Sequence, residues 1–282
     1  MTVVAIVGSP IVDEISQRDP DLVSEIGSRT WSVCGRNFVI AITELRAGDR
    51  LAEYDVPEEY VLLVEGDVMV GVEHDDRAPV SVSEPALLVV PAGTSAVRAA
   101  ASTTVTRVFT ARCDEQMRRA VNHEAGVDLR AAPLPDLTTA GDEEIRVHRL
   151  SDVPDEQGRL GRIFRTTSLM VNWFPVHEGP RDTERLSPHS HEDFEQMSVT
   201  LVGHYAHHLR VPWTPRMSEW RDDEHVQVSS PSITLIPPTV VHTTRAVGAG
   251  PHTLIDVFAP PREDFLAQGW VLNAGEYPGT LP

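Results

Sequence analysis

An all-β chain built from two tandem halves is the fold class that this 282-residue sequence predicts. Helical periodicity is scarce, short runs rich in Val, Ile, Leu and Thr recur between Gly, Pro and Asp, and the order of these runs repeats once along the chain. Strands are expected at 37–45, 60–72, 86–91 and 103–110, and again at 167–174, 197–210, 232–237 and 252–258. A short helix is expected at 114–121, after the first set of strands. The repeat is legible in the residues: EEYVLLVEGDVMV from Glu58 resembles EQMSVTLVGHYAHHL from Glu195 at an offset of 137 residues (58 to 195), which sets Gly66 opposite Gly203. Pro91 then falls opposite Pro237, and Val108-Phe109 opposite Val257-Phe258, while the second copy carries an insertion, WTPRMSEWRDDEHVQ. The stretch AAPLPDLTTAGDEE has the Pro, Thr, Gly and acid content of an exposed connection. Two domains are therefore expected, 1–140 and 141–282.

Composition removes several kinds of chemistry. The 24 basic residues are all Arg, against 42 Asp and Glu, for a net charge of −18. That excess disfavours nucleic acid and anionic membrane faces as partners. With no Lys there is no Schiff base, no pyridoxal phosphate anchor and no phosphate loop ending in G-K-[ST]. Cys34 and Cys113 share no C-x-x-C spacing and read as buried fillers. MTVVAIVGSP carries no basic leader, and no apolar run approaches the ~18 residues of a membrane span, so a soluble, cytoplasmic protein is expected.

The chemistry concentrates in PHSHEDFEQ. Side chains alternate along a strand, so His189 and His191 point to one side, about 7 Å apart, and can share an ion. Glu195 keeps the same parity and can add an oxygen, and a further ligand is expected from His242, which follows a proline turn after an apolar strand. Together these residues resemble the cupin superfamily. Its first motif, a Gly, H-x-H, a Glu four or five residues later and a closing Gly, reads His189, His191, Glu195 and Gly203 in this chain. Its second, P-x-G-x-x-H, reads Pro237, Thr239 and His242. The sequence departs from the pattern in four places: the nearest Gly before His189 is Gly179, seven residues rather than six separate Glu195 from Gly203, Thr239 stands for the Gly, and Ala246 stands where Asn is frequent.

The resemblance implies a bicupin, two jelly-roll β-barrels each followed by a short helix. At the same offsets the first half carries Ala52, Tyr54, Glu58 and Ala96, so it is expected to be structural, with the metal in the second half. Three imidazoles and a carboxylate leave two positions open on a six-coordinate ion. Fe(II) or Mn(II) suits the donor set, Fe(II) being favoured, and Zn, Ni and Co also enter by affinity. A mononuclear Fe(II) dioxygenase acting on a small organic anion is the first functional expectation. A metal-dependent isomerase or lyase working through an enolate is the second, and a non-catalytic small-molecule binder the third. After Gly203 the inward positions are Tyr205, His207 and Leu209, matching Val68, Val70 and Val72, so Tyr205 and His207 are the expected proton carriers, His207 with a pKa near the working pH. Arg162, Arg165, Asn172 and Trp173 lie on early strands of the second half, and Trp213 and Trp220 in the insertion are lid candidates. The two halves are expected to close on each other as an intramolecular pseudo-dimer, which leaves room for a homodimer.

Overall fold

The computed structural model describes residues 8–75, 77–125, 128–136, 144–153 and 160–278. The expected linker falls partly outside them, at 137–143.

Two seven-stranded sheets form the centre of the molecule. The first runs, in spatial order, through Arg146–Arg149, Ala86–Val90, Tyr60–Val64, Thr103–Thr110, Phe38–Leu45, Arg29–Cys34 and Leu22–Val23. The second runs through Ile11–Glu14, Ser232–Ile236, Glu195–Val202, Pro251–Ala259, Met170–Trp173 and Arg162–Arg165, and His177–Glu178 pairs with Pro251–Ala259. A smaller sheet closes each into a barrel: Leu51–Val56, Gly93–Ala99, Val70–His74 and Val80–Val82 in the first half, and Glu224–Ser229, His204–Arg210 and Val241–Val247 in the second. Short helices follow the barrels at Asp114–Arg119 and Glu263–Ala267.

The strand sequences carry this packing. Val70–His74 alternates buried and half-buried, as a sheet with one wet face requires. Tyr60–Val64 is buried throughout because both of its faces are covered. Leu62 and Val64 point into the first barrel, whereas Val61 and Leu63 join Trp31, Phe38, Ile40, Phe164, Trp173, Val199 and Ile255 in a core shared by the two large sheets. Each half also supplies an edge strand to the other: Ile11–Glu14 pairs antiparallel with Ser232–Ile236, and Arg146–Arg149 with Ala86–Val90. A cut near residue 140 divides the sequence but not the sheets. No helix among the described residues is long and apolar enough to cross a membrane.

The barrels differ inside. In the first, Tyr60 stacks on Phe109 with ring centres 4.7 Å apart and shares a hydrogen bond with Ser95. Below it, Arg107 makes a buried ion pair with Glu53, which also accepts from Gln116 at 2.6 Å. Side chains fill that lumen. The second barrel keeps a cavity of ≈ 470 Å³, bounded among others by Asn172, Gln196, Tyr205, His242, His252, Asp256 and Arg262.

Candidate metal centre

His189 and His242 meet as an antiparallel bridge, His189 N–H donating to His242 O at 3.0 Å and His242 N–H to His189 O at 2.8 Å. The proline turn before His242 is tied to the same segment, since Thr239 N–H donates to His191 O at 2.6 Å. Thr239 has φ +68, a left-handed conformation that a β-branched residue enters at a cost and that a Gly would adopt freely. Arg130 Nη1 donates to its hydroxyl at 2.8 Å and helps to hold it there.

These backbone ties bring three imidazoles together, with one nitrogen of each within 4.8 Å of the others. Bonds of about 2.1 Å to one ion place ligand atoms ~3–4 Å apart, so only a small closure separates this arrangement from a bound one. The tautomers of His242 and His189 suit it as they stand. His242 Nδ1–H donates to Val240 O at 2.9 Å and His189 Nδ1–H to Ser187 O at 2.9 Å, which leaves each Nε2 with its lone pair. His242 Nε2 is buried and has no partner among the described residues. Burial holds His191 and His242 neutral: it pushes His191 down to about 3 and His242 to about 4, and Arg262 and the neighbouring imidazoles add repulsion. These residues fit a divalent ion.

Glu195 is not brought to this cluster. Its Oε2 accepts from the Arg36 backbone N–H at 2.6 Å, and it lies so close to Gly35 that a Cβ there would stand 2.5 Å away. Gln196 takes the place beside the imidazoles, its Oε1 accepting from His191 Nε2–H at 2.9 Å. The reason is a β-bulge: the register of Glu195–Val202 against Pro251–Ala259 shifts between Thr200 and Val202. Above the bulge Gly203 matches Gly66, an offset of 137 residues. Below it, Gln196 pairs with Ile236 just before Pro237, as Tyr60 pairs with Val90 just before Pro91, and the offset becomes 136 (60 to 196). A slip of one residue turns a side chain to the opposite face. The true counterpart of Glu195 is Glu59, and it makes the same contact in reverse, its Oε1 accepting from Thr167 N–H at 2.7 Å. The two carboxylates are matching clasps between the halves. The six-residue spacing from Gln196 to Gly203 was the sequence signal for this position.

The other expected residues fall in different places. Tyr205 lines the cavity and meets His252 edge-on with ring centres 5.5 Å apart, and burial pushes its phenol upward. His207 is wholly buried in the same barrel, shares a hydrogen bond with Thr244 through Nδ1, and is not part of the cavity wall. Burial, with His242 and His208 adding repulsion, pushes it down to about 4, a correction to the expectation of a pKa near the working pH. Between about pH 6.5 and 4 the unfolded chain binds the proton that the folded ring refuses, so this group makes the fold less stable as pH falls. Asp256 and Glu195, raised by burial to about 6 and about 7, act in the opposite sense over part of that window. His207→Gln is expected to flatten the pH dependence of unfolding by about 1.4 kcal/mol per pH unit near pH 5. Urea titrations between pH 7.5 and 5 read this slope, and an unchanged slope refutes it.

Asn172 lines the cavity, whereas Trp173 lies in the shared core. Arg165 packs over Tyr277, and Arg162 donates to Val153 O at 2.8 Å. Trp213 and Trp220 stack on each other with ring centres 4.5 Å apart, beside a separate groove lined by Arg210 and Arg221. Among the residues of the cavity wall that sequence reading missed are Gln196, His252, Asp256 and Arg262. Asp256 had a positional signal, because it precedes the Val257-Phe258 pair as Arg107 precedes Val108-Phe109, the one Asp, Glu or Arg of its strand in both halves.

No family model matches the sequence, and no curated protein matches it. Solved structures do. An oxalate decarboxylase from Lactobacillus farciminis, solved as a formate complex, aligns with a TM-score of 0.59 at 12% identity over 92% of this chain and 90% of its own. Oxalate decarboxylase from Bacillus subtilis, in a study of its Mn(II) centres, aligns at 0.57 and 12% identity over 92% and 78%. An IolB-like protein from Salmonella typhimurium aligns at 0.54 and 12% identity over 89% and 93%. The likeness is one of fold: the chain shares the all-β architecture of these structures.

Proposed function

We propose that the second barrel is the site of a metal-dependent enzyme acting on a small organic anion, with a divalent ion held by His189, His191 and His242. The observation that carries this reading is the convergence of three imidazoles beside a cavity whose counterpart in the first barrel is packed with side chains. Bound there, the ion supplies Lewis acidity toward a substrate oxygen and open coordination positions.

The chain's own groups favour proton transfer at a carbon atom, the chemistry of an isomerase or lyase. Asp256 is buried on the cavity wall, and its Oδ1 accepts from Ser198 Oγ at 2.6 Å, so Oδ2 is the atom that takes or gives a proton. Arg262 lies over Phe265, 3.6 Å from the ring centre, with Nε and Nη2 donating to Asp264. Its Nη1 remains to receive an anionic substrate group. His252 Nε2–H donates to Val247 O at 2.9 Å, and the buried Nδ1 has no partner among the described residues, which makes it an acceptor for a substrate hydroxyl.

A mononuclear Fe(II) dioxygenase is the second reading, favoured by a donor set of three neutral imidazoles that leaves room for substrate and dioxygen side by side. Reconstitution with Fe(II) or Mn(II), followed by a screen of keto acids, hydroxy acids and aromatic diols with an oxygen electrode, separates the two. Turnover without oxygen uptake is the expected result. Uptake coupled to turnover selects the dioxygenase, and a protein that binds no divalent metal refutes both.

A further inference from the structure

Gln196 is held in one orientation by a chain of buried hydrogen bonds. Its Nε2–H donates to Ser198 Oγ at 3.0 Å, and Ser198 Oγ–H in turn donates to Asp256 Oδ1 at 2.6 Å. Ser198 stands two residues along the same strand face, and Asp256 lies directly opposite Ser198 on the neighbouring strand. All three are buried, with relative exposures of 3%, 1% and 9%. A serine hydroxyl has one proton, and here it goes to Asp256, so the amide must present NH₂ to Ser198 and Oε1 to the histidines. Oε1 accepts from His191 Nε2–H at 2.9 Å, and an ion that displaced this proton would find the two atoms already close to the ~3.0 Å that separates neighbouring ligands when both bonds are about 2.1 Å.

We propose that Gln196 Oε1 is the fourth protein donor of the centre, where the cupin resemblance implied a glutamate, and that Ser198 and Asp256 orient and polarise it. The inference rests on the reading of His189, His191 and His242 as metal ligands. Hydrogen bonds in series strengthen one another, so the carboxylate at the end of the chain raises the donor strength of an oxygen that it never touches. The first barrel is an internal control: the equivalents of Gln196, Ser198 and Asp256 are Tyr60, Leu62 and Arg107, which cannot form this chain. Four neutral donors leave the full double charge on the ion, and the ligand it then favours in its open positions is an anion.

Co(II) titration of the full-length protein, followed by calorimetry and visible absorption, tests this. The wild type is expected to bind one Co(II). Gln196→Ala should weaken binding about 10- to 100-fold and shift the visible bands, Ser198→Ala should weaken it about tenfold, and Ser198→Thr should restore it. Glu195→Gln should leave affinity and spectrum unchanged. If Gln196→Ala fails to fold, Gln196→Glu serves in its place: it should still bind Co(II), with shifted bands and at least tenfold weaker affinity of the loaded site for azide, because the added negative charge opposes the anion. Wild-type binding with no effect of Gln196→Ala or Ser198→Ala overturns the proposal and leaves the three-histidine reading standing. Absence of Co(II) binding by the wild type overturns that reading itself.

Discussion

Replacing His242 by Ala is expected to lower affinity for a divalent ion by more than about a hundredfold, beyond the 10- to 100-fold typical of a residue that merely supports a ligand. Three features make this imidazole central. Its Nδ1 is fixed by Val240 O, its buried Nε2 has no partner among the described residues, and its backbone is bridged to His189, another member of the cluster. Folding should survive, because His242 lies on the wall of an existing cavity and truncation enlarges that space instead of opening a new void in packed core. Calorimetry with Mn(II) or Co(II), together with urea unfolding of the metal-free protein, checks both parts. Retention of near wild-type metal affinity would remove His242 from the centre.

Replacing Glu53 by Ala is expected to destabilise the fold by about 3–5 kcal/mol, since it strands the Arg107 guanidinium inside the first barrel. Both side chains are 4% exposed, and what then remains to Arg107 is its Nη2–H donated to Thr43 Oγ1 at 3.1 Å and the face of Phe109, 5.7 Å away at the ring centre. Removing both charges together, as Glu53→Leu with Arg107→Met, should be near neutral or stabilising, because two desolvated ions are exchanged for apolar packing of similar volume. Urea midpoints of the single and double variants decide this. A double variant as unstable as Glu53→Ala would show that the pair itself, and not the stranded charge, sets the cost. Metal affinity should be the same in all of them, since the pair fills the barrel that lacks the histidines.

Much of the protein was legible as a string of residues. Strand runs punctuated by Gly and Pro, repeated once, specify an all-β chain with two similar halves, because side-chain alternation and turn chemistry are local properties. His189 and His191 were picked out by their two-residue spacing, although the segment that holds them is irregular apart from the bridge at His189, and His242 was found by its distance from a proline turn. Tertiary structure decided which residue stands beside them. Glu195 and Gln196 are neighbours on opposite faces of one strand, and a single bulged residue near Leu201, visible only in the pairing with Pro251–Ala259, chooses between them. Contacts between distant segments likewise decided that Ile11–Glu14 and Arg146–Arg149 cross between the halves, and that Arg107 finds Glu53 while Asp256 faces an open cavity. Period and turn type depend on a few adjacent residues, whereas register and lumen filling depend on what the fold places opposite them, and a strand carries no local record of its partner.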